Sequence, residues 1–245
     1  KKSQIQHAGV ILMRAFFTDS SLYRILFSLL GAGGSFLETI IRTERTDQSL
    51  AVLEVIDQCL LLMESLLKYR LSPQSQAAEK TTPFEDTLLS LLIGRKQVPI
   101  ITAIFELILN DHSPQVRIVA CRVINLVAQL TEQYHPRPPS LVSYLGSQSN
   151  QLVGSCIKSL RSYESSTELK IELFNLIATT VDLQRGLAED FLHLEVDTIA
   201  ASDSKEPEQR TLPKDGCVAT ILSVVHRGVS LISAGETKLL CSALS

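Results

Sequence analysis

The sequence predicts an all-α fold, an irregular HEAT/ARM-like superhelical solenoid of helical repeats, and three observations carry that expectation. Apolar residues recur three or four apart from end to end, and no run of four or more keeps the alternation and flanking turns of a strand pair. Leu, Ile, Val and Ala carry the apolar load, aromatics make up 5% and Trp is absent, which suits packed helices better than a β-sandwich. A Ser-Pro junction followed by Val-Arg and a small residue, over 111–120, has the order of a helix-turn-helix repeat boundary.

Taken in order, Asp19 can accept from the free amides of a first turn, so it predicts a helix running to Leu30, with Gly31 as the left-handed residue that ends it. A short helix over 35–42 follows. Asp47 then caps the longest helix, where Leu50, Leu53, Ile56, Leu60, Met63 and Leu67 make one stripe, widened by Leu61, Leu62 and Leu66 until it faces two neighbours. Met63 reads as gap-filling core. Leu71 to Thr82, mostly polar, with Pro73 inside it and Pro83 just after it, reads as a loop.

Helices over 84–93, 98–109 and 113–130 come next. At the last junction Asp111 or Ser113 supplies the cap, Pro114 occupies the first helical position where no backbone donor is missed, and Val116, Val119, Ala120 and Val123 face inward. Small Ala120 permits close approach of the paired helix. Weaker echoes stand at 47–53, with Leu50 in the place of Val116, and at 167–173, with Leu169-Lys170 in place of Val-Arg. Their spacing exceeds the roughly 40–47 residues of a regular array, which predicts irregular repeats or extra helices between them. Tyr134 to Pro139 stops the 113 helix, a short helix occupies 140–145, and 150–162, 167–180 and 186–194 form a further group.

Three parts are expected: an α-solenoid segment over 1–199, a polar, proline-bearing loop or linker over 200–216, and a continuation of the solenoid over 217–245. Lys1-Lys2 at one end and an apolar periodic run at the other predict a piece of a longer chain with neighbours on both sides. With 245 residues, 45% of them hydrophobic, the core is ample.

A net charge of −3, with acids and bases mixed, offers no field for phosphates, so no direct nucleic-acid binding is expected. Leu50 to Leu67 is broken by Glu54, Asp57, Gln58 and Glu64, so no transmembrane segment is expected. The cysteines, Cys59, Cys121, Cys156, Cys217 and Cys241, are odd in number, scattered and mostly flanked by apolar residues. They read as buried hydrophobes in a reducing compartment.

No motif assembles chemistry. Gly31-Ala32-Gly33-Gly34-Ser35-Phe36 lacks a preceding strand and the last glycine of a dinucleotide fingerprint, and reads as a tight interhelical turn. His193-Leu194-Glu195 has no Cys-x-x-Cys after it, and His7, His112, His135, His193 and His226 never pair at ligand spacing. Ser155-Cys156 has neither a histidine nor a glycine elbow nearby. Glu85-Asp86 and Glu189-Asp190 sit near helix starts, where the macrodipole accounts for them. No catalytic, cofactor-binding or metal residue is therefore expected, no cofactor and no small-molecule substrate, and partner-binding residues stay unassigned.

From Val98 to Val196 the order of elements is particular. An apolar helix ends in Ile108-Leu109-Asn110-Asp111-His112-Ser113-Pro114 and is followed by 119–130, by Leu141-Val142-Ser143-Tyr144-Leu145-Gly146, by Ile157-Lys158-Ser159-Leu160 and by Leu169-Lys170-Ile171-Glu172-Leu173. A closing stretch over 180–196 opens with Gln184, Gly186 and Leu187 and ends Phe191-Leu192-His193-Leu194-Glu195-Val196. This order resembles the large α-solenoid scaffold nucleoporins of the inner ring of the nuclear pore, in particular the nucleoporin 188 branch of the 188/192/205 class.

The resemblance implies an internal fragment of a structural scaffold subunit of the nuclear pore complex at the nuclear envelope. It also implies partners among linker nucleoporins, weaker contacts with Phe-Gly repeats, support of nucleocytoplasmic transport, and no enzymatic activity. A HEAT-repeat nuclear transport receptor or other protein-binding adaptor is the alternative, since the 111–120 junction suits either. An all-helical enzyme would need distant titratable groups to converge in one pocket.

Overall fold

A computed structural model describes residues 8–42, 46–72, 81–90, 92–93, 98–109, 113–134, 138–162, 164–184, 186–188, 191, 220–221 and 223. The helices are α1 (Ala8–Thr18), α2 (Ser20–Arg42), α3 (Thr46–Leu71), α4 (Pro83–Ser90), α5 (Ile100–Leu109), α6 (Pro114–Gln133), α7 (Val142–Leu145), α8 (Ser149–Arg161) and α9 (Thr167–Leu183). Their packing makes three stacked hairpins, α2/α3, α5/α6 and α8/α9. One layer holds α2, α5 and α8, and the other holds α3, α6 and α9. The fold is all-α and solenoid-like, with α1, α4 and α7 as the extra helices that stretch the repeat.

Asp19 caps α2 as expected, its Oδ1 accepting from the Ser21 amide at 2.9 Å. Gly31 does not end the helix. α2 runs straight through 31–34, so neither a separate helix over 35–42 nor a tight turn exists there. The energetics explain why. Three helical glycines cost about 1 kcal/mol each against alanine, whereas Leu37 and Ile40, almost fully buried beyond them, contribute roughly 1.5–3 kcal/mol each. Gly33 also has a packing use, because a Cβ there would lie 2.8 Å from Ile56 Cγ1 of α3.

Along α3 the anticipated stripe is real from its second turn onward. Ile56, Leu60, Met63, Leu66 and Leu67 are fully buried, and Leu53, Leu61 and Leu62 pack partly against them. Leu50 corrects the pattern: it is 68% exposed, so it does not occupy the inward place that Val116 holds in α6. Helix α3 begins at Thr46, which puts Asp47 inside the first turn rather than at the cap.

Where α1, α2, α3 and α4 meet, Phe84 is the centre of an aromatic cluster, with ring centroids 5.1 Å from Phe27, 5.4 Å from Phe17 and 6.1 Å from Tyr23. Thr82 and Glu85 close the start of α4 as a reciprocal cap. The Thr82 amide donates to Glu85 Oε2 at 2.6 Å, and the Glu85 amide reaches Thr82 Oγ1 at 3.5 Å. Between α4 and α5 the chain forms a minimal antiparallel pair, β1 (Leu92–Ile93) with β2 (Val98–Pro99). The helices expected over 84–93 and 98–109 are shorter for that reason. Val98 precedes a proline, which disfavours the α region, so α5 starts only at Ile100.

The start of α6 matches expectation. Ser113 Oγ accepts from the Val116 amide at 3.3 Å, Pro114 opens the helix, and Val116, Val119, Ala120 and Val123 are buried. α9 repeats the device, with Ser166 Oγ accepting from the Leu169 amide at 3.2 Å and Leu169 buried. Ser113 to Ser166 is an interval of 53 residues, the lengthened period that the sequence predicted. The expected helix over 186–194 is described at 186–188 and 191, where Leu187 and Phe191 join the core. The loop over 200–216 lies outside the described residues, as does most of 217–245.

Candidate partner-binding groove

Arg117 ties the second and third hairpins together. It is 5% exposed, and its Nε donates to the Ile108 carbonyl at the end of α5 at 2.8 Å. Its Nη2 donates to Ser159 Oγ at 2.7 Å and to Ser155 Oγ at 3.3 Å, both on α8. A guanidinium supplies enough donors to serve an orphan helix-end carbonyl and a neighbouring helix at once. In sequence Arg117 reads only as the second residue of Val-Arg.

The layer formed by α6 and α9 carries a groove. The two helices run in the same direction, because Arg122, midway along α6, bonds to Glu168 and Glu172 in the first two turns of α9, each at 2.8 Å, while Gln184 bonds to Thr131 at 3.3 Å near the ends of both. Side chains one turn apart on each helix then face across the seam. One depression of about 430 Å³ lies among Asn125 and Gln129 of α6 and Asn175, Thr179 and Asp182 of α9. A second, of about 490 Å³, continues it past Thr131 and Glu132 to Pro138, Pro139 and Gly186, and the two share Asp182 and Leu183. On the floor, Asn125 is 8% exposed and its Oδ1 has no hydrogen-bond partner among the described residues.

Gln184 closes the far end of the groove. Its Oε1 accepts from the Leu141 amide at 3.1 Å and from Ser140 Oγ at 3.2 Å, while its Nε2 reaches Thr131 Oγ1. One buried carboxamide therefore joins the ends of α6 and α9 to the turn before α7. Gly186 lies against Val142, and Leu187 and Phe191 fill the core behind it.

The residues weighed for chemistry fall elsewhere. Ser155 is engaged with Arg117, and Cys156 is buried beside Cys121, whose thiol pKa is raised well above its usual value by burial and further by Cys156. Cys59 is also buried, and Cys217 and Cys241 lie outside the described residues. Glu85 does more than favour a helix dipole: it pairs with Arg70 inside the protein. His7, His112, His135, His193 and His226, with Glu189, Asp190 and Glu195, lie outside the described residues. Among the described residues no cluster of His, Cys, Asp and Glu could hold a metal, and no helix is long and apolar enough to cross a membrane.

The family model of nucleoporin Nup188, N-terminal subdomain III, matches residues 2–195. The chain belongs to the Nup188 nucleoporin family. The match begins far upstream of Val98, so the α2/α3 hairpin and its aromatic cluster belong to the same Nup188 subdomain as the stretch that carries the resemblance in sequence. It spans every described element from α1 to Phe191, including the groove. Membership makes the protein a structural nucleoporin, a component of the nuclear pore complex at the nuclear envelope, in a scaffold family of non-enzymatic kind. No individual curated protein matches the chain.

Proposed function

We propose that this Nup188-family segment is a load-transmitting stretch of the inner-ring scaffold that holds linker nucleoporins along its surface, supporting nucleocytoplasmic transport without performing catalysis. The observation that carries the reading is the stacking of three hairpins over one continuous core, from Phe17 to Phe191, with a solvent-facing groove between α6 and α9. Stacked helical repeats offer a long rigid face and no enclosed reaction chamber, which suits capture of extended partners. Phe-Gly repeats would be weaker, secondary partners.

The division into a solenoid over 1–199, a polar connection over 200–216 and a resumed solenoid over 217–245 belongs to the same proposal. In its support, Thr220 is buried and accepts from Arg161 Nε of α8 at 2.9 Å, which is how a returning helix would dock on the last hairpin.

Two measurements test the function. Pull-down of the purified chain with disordered segments of linker nucleoporins is expected to retain some of them at micromolar concentration, and retention of none would overturn the linker reading. Fluorescence recovery after photobleaching at the nuclear rim is expected to be slow. Exchange within seconds would favour the transport-receptor alternative.

A further inference from the structure

We propose that the α6–α9 groove docks an extended peptide segment, with the Asn125 carboxamide pairing its backbone and Asp182 receiving a basic side chain. The inference rests on the linker-binding reading above and assigns it a place and a chemistry.

Shape argues for an extended chain. The two depressions lie end to end along parallel helices and share Asp182 and Leu183. From Asn175 to Leu183 the helix rises roughly 12 Å, the length of about four extended residues, and the second depression continues beyond it. A docked helix, about 10 Å across, would need a broad apolar trough, whereas this lining alternates amide, hydroxyl and carboxylate with aliphatic carbon.

Chemistry argues for peptide backbone. A carboxamide presents one acceptor and two donors side by side, the complement of a peptide group. Asn125 sits on the groove floor, more than nine-tenths buried, and its Oδ1 is unpartnered among the described residues. A polar atom held in that state costs stability in the free protein, so a partner that supplies an N–H recovers the loss on binding. Gln129, one turn further along α6 and exposed, stands ready for the next peptide group.

Charge selects the side chain. Asp182 is exposed and belongs to both depressions, and among the described residues no Lys or Arg lines either one. A lysine or arginine of the guest is the complement, and a nucleic-acid backbone is not.

The test uses the whole 245-residue chain and fluorescent 12-residue peptides tiling the disordered segments of linker nucleoporins, read by anisotropy. Peptides bound by the wild type are expected to be Lys- or Arg-bearing and to bind at least tenfold more weakly to N125L. D182K is expected to shift selection toward Asp- or Glu-bearing peptides. The melting temperature of N125L is expected to match or exceed the wild type, whereas a carboxamide serving structure alone would lower it. Should N125L fail to fold, the surface variants D182K and Q129A decide the matter by the same tenfold criterion. Peptides that bind wild type and groove variants alike overturn the groove and leave the linker reading standing. Absence of binding to the wild type overturns both.

Discussion

Arg70 Nε donates to Glu85 Oε1 at 2.8 Å, and the two side chains, 6% and 2% exposed, join the end of α3 to the start of α4 inside the protein. The other Glu85 oxygen caps its own helix through the Thr82 amide. Both charges depend on each other, because removal of either leaves the other in a low-dielectric interior. R70A or E85A is therefore expected to lose about 3–5 kcal/mol of stability, measured by urea denaturation. A change below about 1 kcal/mol would mean that water reaches the pair.

Adjacent glycines of α2 should respond with opposite signs. Alanine is the better helix former by about 1 kcal/mol at either place. At Gly34 a new Cβ meets nothing within 4 Å, so G34A is expected to stabilise by up to that amount. At Gly33 it would press on fully buried Ile56 at 2.8 Å, and overpacking of about 1–3 kcal/mol outweighs the propensity gain. Thermal melts of the two variants decide it, and equal shifts would disprove close packing of α2 on α3.

Tyr134 ends α6 with its ring buried and its hydroxyl beside the Arg70–Glu85 pair, without a hydrogen bond of good geometry among the described residues. Burial, and then the charge of Glu85, hold its pKa well above the usual phenol value. The phenol stays neutral in the fold but ionises in the unfolded chain near pH 10, so its contribution to stability falls as pH rises past about 10. Y134F is expected to leave stability at pH 7 within about 1 kcal/mol and to flatten the alkaline decline. An unchanged decline would show that Tyr134 ionises as easily folded as unfolded.

Gln184 carries bonds to Leu141, Ser140 and Thr131. Q184A strands the buried Leu141 amide, at a cost of about 1–3 kcal/mol. Amide hydrogen exchange is expected to accelerate at Leu141 and along α7, with the α2/α3 hairpin unchanged. Uniform acceleration would mean that the joint is no local latch.

Several features were legible because they depend on neighbours in the chain. Asp19 and Ser113 cap with amides two and three residues on, Pro114 needs only its own ring geometry, and the stripe from Ile56 to Leu67 follows from helix periodicity. The Thr82-Pro83-Phe84-Glu85 cap was equally readable, since Thr and Glu three apart around a first-position Pro is a local signal, yet the stretch up to Thr82 reads as loop if polarity alone is weighed. Gly31 misled for the converse reason. A glycine that ends a helix and one inside a helix that continues look alike until it is known what the residues beyond it pack against.

The sequence by itself determined the helical class, the lengthened repeat and the family order, because periodicity, caps and spacing are properties of contiguous residues. Only the tertiary structure decided that α2 continues past its glycines, that Leu50 faces water, that Arg117 and Glu85 turn inward, and that Asn125 lines a groove with Asp182. Each of those depends on residues well beyond its own helical turn, and whether a side chain is buried, paired or aimed at a partner is settled by what packs against it.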